Sequence, residues 1–165
     1  MGPEAGGRVL IPPLDPDPTI AAGYCCDCHV VKLVLEVAQV LSTVAARHRH
    51  HALYRVTHRS HPTVLWAGDC HANWAWVCRF GLALAEEYRR RYGRTHASEA
   101  VIWDCANGRK GPVDNGLPLD ELPACGRGYG PGVGEARRYY LNVTMAKDRC
   151  RWERVAVPWW ARRAA

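Results

Sequence analysis

Between Asp27 and Ala46 the chain reads DCHVVKLVLEVAQVLSTVAA, and no other stretch constrains the fold as much. Val30, Val31, Leu33, Val34, Leu35 and Val37 leave almost no helical face free of apolar side chains. A helix of this kind has to be surrounded by other elements. Yet His29, Lys32, Glu36 and Gln39 recur at spacings of three, four and three, which places all four on one stripe. Asp27 suits the N-cap, so a helix is expected from there to about Ala46. The stripe has two readings. It is a narrow solvent face carrying an ordinary Lys32–Glu36 pair worth about 0.2–0.5 kcal/mol, or it is a carboxylate held in a cleft beside a cation and an imidazole.

A chain of 165 residues favours one domain with a core that needs no disulfide staples. We expect a flexible tail at 1–7 and a single helical domain over 8–165. The net charge of +6 suits an anionic partner such as nucleic acid, or simply a generic basic protein. The N-terminus has no apolar core typical of a signal peptide, and no run of 18 apolar residues exists. The eight cysteines therefore read as reduced thiols in a cytosol, with no membrane association. Cys25-x-x-Cys28 followed by His29 invites zinc. No second CxxC or HxxxH supplies the remaining ligands, so no metal and no cofactor are expected.

Along the chain, "RVLI" suggests a short extended segment and "PPLDPDP" a rigid, turn-rich linker. "RHRHHALYRVTHRSHP" reads as a loop crowded with imidazoles and guanidiniums. Pro62 fits the first turn of a helix that continues to Gly93, with a bend near Gly68 or Gly81. Ser98 can cap a short helix. Residues 106–134 hold eight glycines and four prolines, a loop length that is usually functional or disordered. A last helix is expected over "EARRYYLNVTMAKDRCRW". The fold class is mainly α.

Three further clusters bear on chemistry. Tyr54, Arg55, Thr57, His58 and His61 can all donate to a phosphate, or form a plain solvated loop. Trp66, Asn73 and Phe80, spaced by seven, share one face with Trp76 near it. Such a face stacks an extruded base or belongs to the core. Arg89, Arg90, Arg91 and Arg94 end a helix, where cations suit the dipole, and they could track phosphates.

Together these motifs resemble a family of small proteins found mainly in tailed phages. The resemblance rests on Asp27, His29, Val30, Val31, Lys32, Glu36 and Gln39; on Tyr54, Thr57, His58, His61 and Pro62; on Trp66, Asn73 and Trp76; and on Glu87, Tyr88, Arg91, Tyr92, Gly93, His96 and Ser98. It covers roughly residues 8–100, plus "RRYY" near the C-terminus. That family is in turn similar to the pyrimidine-dimer DNA glycosylases of the endonuclease V type. Their catalytic helix carries D-x-H with the active-site glutamate seven residues after the histidine, a spacing kept by Asp27, His29 and Glu36. The resemblance implies an all-α fold of the glycosylase type and an enzyme acting on a pyrimidine in duplex DNA. It implies Glu36, His29 and Lys32 as catalytic residues. Arg55, Thr57, His58, His61, Asn73, Arg89, Arg91 and Arg94 would contact DNA or phosphate, and Trp66 and Trp76 would stack the base. The chain departs from those glycosylases at its longer, proline-rich N-terminus, whose amine would be their nucleophile, and at Cys25 and Cys28, where histidine and lysine are expected. Base excision is the first expectation. The alternative is a transferase that attaches a small amine or amino acid to an activated 5-methylene pyrimidine. A third is a non-catalytic DNA-binding accessory protein. The expected partner is double-stranded DNA, the state monomeric and the location the cytoplasm of a host cell.

Overall fold

The computed structural model describes residues 11–123 and 128–162, which form helices and loops with no strand. The "RVLI" segment up to Leu10, the 1–7 tail and Cys125 lie outside them. Seven α-helices follow in order: α1 Pro18–Tyr24, α2 Asp27–Arg47, α3 Pro62–Asp69, α4 His71–Tyr92, α5 Glu99–Asn107, α6 Val133–Tyr139 and α7 Ala146–Asp148. A π-helical turn, Tyr140–Met145, joins the last two.

The expected linker ends one residue early, because Pro18 opens α1. Asp17 caps it by accepting from the Thr19 and Ile20 amides, and proline at the first helical position costs no hydrogen bond. α2 has the expected span, but its N-cap is Cys26. The Asp27 carboxylate turns away from its own helix to other partners. α2 is central: α3, α4 and α5 all pack on it, and α1, α3 and α5 pack on α4. By length and composition α2 could cross a membrane, yet 67% of its most apolar window is buried against these neighbours.

The single helix expected over 62–93 is two. The chain breaks at Cys70, two residues after Gly68, where a bend is expected; the backbone there is extended (φ −148, ψ 164). Gly81 instead sits inside α4 where α2 and α5 approach. A Cβ there would lie 2.5 Å from Val37 Cγ1 and 3.1 Å from Ile102 Cδ1. Gly93 ends α4 in the left-handed conformation, as its position suggests. The core runs through Val30, Val34, Val37, Leu41 and Val44 of α2 to Trp76, Phe80 and Leu84 of α4 and Ile102 of α5.

The helix expected over 135–152 keeps its first half, then widens into the π turn and stops at Asp148, with Arg149 left-handed. The described part of the 106–134 loop is a strap across α3 and α4. Trp66 Nε1 donates to the Glu121 carbonyl at 3.0 Å. Asn73 donates to Asp120 Oδ2 at 2.9 Å and accepts the Asp120 amide at 3.0 Å. Gly111 lies flat on the Trp74 ring, where a side chain would collide.

Candidate functional site

The polar stripe of α2 divides into two regions. Cys28, Val31, Lys32, Leu35, Glu36 and Gln39 are exposed or half-buried, while the rest of the helix between Asp27 and Ala45 is buried. These positions are the i, i+3, i+4, i+7, i+8 and i+11 of one face. Glu36 therefore lies at one edge of an open strip, one turn from Lys32 and Gln39, with the exposed aliphatic side chains Val31 and Leu35 toward the other edge. The basic loop after α2 is tied back to the same helix farther along. The Thr43 hydroxyl accepts the Thr57 amide at 3.1 Å and lies 3.0 Å from the Thr57 carbonyl, and the Tyr54 amide donates to Ser42. Arg55 and His58 of that loop are exposed, His58 in a left-handed conformation (φ 51). His61 caps α3, its Nδ1 accepting from the Thr63 amide at 3.1 Å. The His96 ring stands edge-on to Tyr88, their centroids 4.9 Å apart.

His29 belongs to the second region. It is buried. Its Nε2 is 2.8 Å from Asp148 Oδ2, and its Nδ1 lies 2.7 Å from the Tyr140 hydroxyl and 3.0 Å from Cys26 Sγ. Lys32 reaches the same aspartate, Nζ to Oδ2 at 3.3 Å. Burial works to raise the Asp148 pKa, but hydrogen bonds from His29 and Lys32 outweigh it and hold the carboxyl below its ordinary value. Burial pushes the Tyr140 hydroxyl well up, so it stays a neutral donor. Cys26 and Cys150 are joined as a disulfide, a correction to the expectation of eight reduced thiols. Cys25, Cys28, Cys70, Cys78 and Cys105 are free. The ligand atoms of Cys26, Cys28, His29 and Cys150 lie within 4.8 Å of one another. No second closely spaced pair in the sequence signals this group, because one member, Cys150, arrives from far along the chain. The cue was Cys150, next to the "RRYY" helix that supplies Tyr140.

Several expected site residues are structural. Arg91 is no phosphate contact: its side chain is 0% exposed. It donates to Glu87 at 2.8 Å, to Asp27 Oδ1 at 3.2 Å and to the Cys25 and Gly23 carbonyls at 2.7 and 3.0 Å. Asp27 Oδ2 meanwhile accepts the Glu153 and Arg154 amides at 2.8 and 3.0 Å, which fastens the C-terminal segment to the start of α2. Asn73 is buried and holds the strap. Trp66 and Trp76 are buried as well, with Trp76 stacked on Phe80 and donating to the Pro16 carbonyl, so neither offers a face to a base. Arg89 pairs with Glu86 and Glu99. Arg94 stays exposed past the end of α4.

Fold and site define a mainly helical protein with an open, mixed apolar–ionic strip on its central helix. No family model, curated protein or solved structure matches the chain.

Proposed function

We propose that this protein is a DNA base-processing enzyme that acts on a pyrimidine in duplex DNA, with Glu36 as its acid–base group. The observation that carries this reading is the open strip of α2. Glu36 is the one carboxylate on the open face of an otherwise buried helix, one turn from Lys32, with the exposed Val31 and Leu35 along the same face. A flipped base needs apolar contact on its faces and a proton donor or acceptor at its reacting edge, and the strip supplies both. The exposed Arg55, His58 and Arg94 and the net charge of +6 supply attraction for the phosphate backbone. With Trp66 and Trp76 in the core, the base contacts fall to α2 itself.

N-glycosidic excision is the first reaction. The transfer reaction is favoured by one observation. The amine of Lys32, the only lysine on the strip, is engaged by Asp148 at 3.3 Å, and transfer to a free amine needs no amine from the protein. A free amine would then attack the 5-methylene carbon, pyrophosphate would leave with the C–O bond, and the amine proton would pass to Glu36 or water. The test is mass spectrometry of nucleosides from DNA incubated with the protein, using irradiated DNA and 5-pyrophosphorylmethyl-pyrimidine DNA with small amines. Abasic sites identify excision and a heavier pyrimidine identifies transfer. Unchanged DNA in both arms rejects the enzymatic reading. Glu36→Gln keeps shape and removes the ionisable group, and should lower turnover by about 10²–10⁴-fold with DNA affinity retained.

A further inference from the structure

We propose that Cys26, Cys28, His29 and Cys150 form a tetrahedral zinc site in the reduced protein, linking the start of α2 to the chain that follows α7. Three sulfurs and one imidazole nitrogen lie within 4.8 Å of one another, and three of the four residues are buried. A tetrahedral zinc with bonds of about 2.3 Å to sulfur and 2.0–2.1 Å to nitrogen needs ligand separations of roughly 3.5–3.8 Å. Those fit inside this envelope after small side-chain rotations. A three-sulfur, one-nitrogen donor set is soft and suits zinc above magnesium or calcium.

The surroundings of the four groups are those of a metal site. Asp148 Oδ2 takes the Nε2–H of His29 at 2.8 Å, which fixes the tautomer and leaves the Nδ1 lone pair directed at the sulfurs. Carboxylate support of a ligating imidazole from its far side is the common outer arrangement at zinc. Tyr140, whose hydroxyl now lies against Nδ1, can instead donate to Cys26 Sγ at 3.1 Å. The Cys28 amide donates to Cys150 Sγ at 3.2 Å. Both contacts stabilise thiolate charge, as does the N-terminal end of α2 on which Cys26 sits. The Cys26–Cys150 disulfide uses only two of the groups. It gives no reason for Cys28 and His29 to converge on the same point, whereas a metal uses all four. Zinc binding needs no electron transfer: three thiols release their protons to solvent as three sulfur–zinc bonds form. The disulfide form must first accept two electrons and two protons from a dithiol or phosphine reductant, which is oxidised in turn.

The experiment is elemental analysis of the full chain purified with zinc under a non-chelating phosphine reductant. One zinc per chain is expected. Cobalt substitution should give the near-ultraviolet thiolate-to-metal band and intense visible bands of a tetrahedral site. Cys28→Ser leaves the disulfide partners intact and should lose the metal, while Cys70→Ser, outside the cluster, should keep it. Asp148→Asn keeps all four ligands and should weaken zinc affinity by about 10–100-fold. Folded, reduced protein without zinc would overturn the proposal, as would wild-type zinc affinity in Cys28→Ser. Should that variant fail to fold, the wild-type stoichiometry and the Asp148→Asn affinity still decide.

Discussion

Arg91→Met is the perturbation whose effect the structure specifies most fully. The native guanidinium lies between α4, the α1–α2 junction and Asp27, with no exposed side-chain surface. Methionine keeps much of the apolar stem but removes the donor from two carboxylates, Glu87 and Asp27, and from two backbone carbonyls. Removing one partner of a buried ion pair costs about 3–5 kcal/mol. Each carbonyl left without its donor adds up to about 1–3 kcal/mol. Two features offset part of this. Glu87 retains Arg90 at 2.7 Å, and Asp27 Oδ2 retains the Glu153 and Arg154 amides. The net loss should therefore fall near 3–5 kcal/mol, a large share of the roughly 5–15 kcal/mol that holds a typical domain together. Guanidinium unfolding followed by tryptophan fluorescence measures it as a lower midpoint at unchanged slope. Arg90→Met, at a side chain 58% exposed, should change stability by about 0.5 kcal/mol or less. In a double-mutant cycle, Asp27→Asn should cost clearly less in the Arg91→Met background than in the wild type. A loss of about 1 kcal/mol or less for Arg91→Met would refute the reasoning, because it would mean that water replaces the guanidinium freely.

Gly81→Ala should lower stability by about 1–3 kcal/mol, since its Cβ would sit 2.5 Å from Val37 Cγ1 and force α2 and α4 apart; a melting temperature equal to or above wild type would contradict that packing. Burial lowers the His96 imidazole below its ordinary 6.5, with contact to the Val31 carbonyl working in the opposite sense. The folded state thus binds a proton less readily than the unfolded chain. His96 stabilises the protein above pH 6.5, and that contribution is lost as pH falls from 6.5 through the lower folded value. His96→Asn should reduce the difference in unfolding midpoint between pH 7.5 and pH 5.5, and an identical difference in both proteins would remove His96 from the acid response.

Local chemistry carried much of the helical plan. Apolar density marked α2, Pro62 the start of α3, Gly93 the end of α4 and Ser98 the position just before α5. These signals are legible because a cap or a breaker acts within one helical turn. The missed features were of two kinds. α1 follows a proline-rich run, and its start signal, Asp17–Pro18, repeats the Asp15–Pro16 pair of the linker and so does not stand out from it. Gly68 marks a bend, but its widening into a full break at Cys70 coincides with the strap across α3 and α4, which is tied by bonds 47 and 55 residues apart in sequence.

By itself the sequence determined that the protein is mainly helical, that its central helix is buried on most sides, and that Glu36 and Lys32 interrupt that helix along one stripe. Periodicity does this, because a side chain's face follows from its position in its own helix. Only the tertiary structure decided which polar groups face solvent and which are sealed. His29 and Glu36 share a stripe, yet one is buried against Tyr140, Asp148 and the cysteines and the other lies on the open strip. Arg90 and Arg91 are neighbours, yet one is a surface cation and the other a buried tie. Burial depends on what the rest of the chain lays across each position. The segments that cover His29 and Arg91 come from about 65 to 120 residues away, a separation over which no pattern in the sequence specifies a contact.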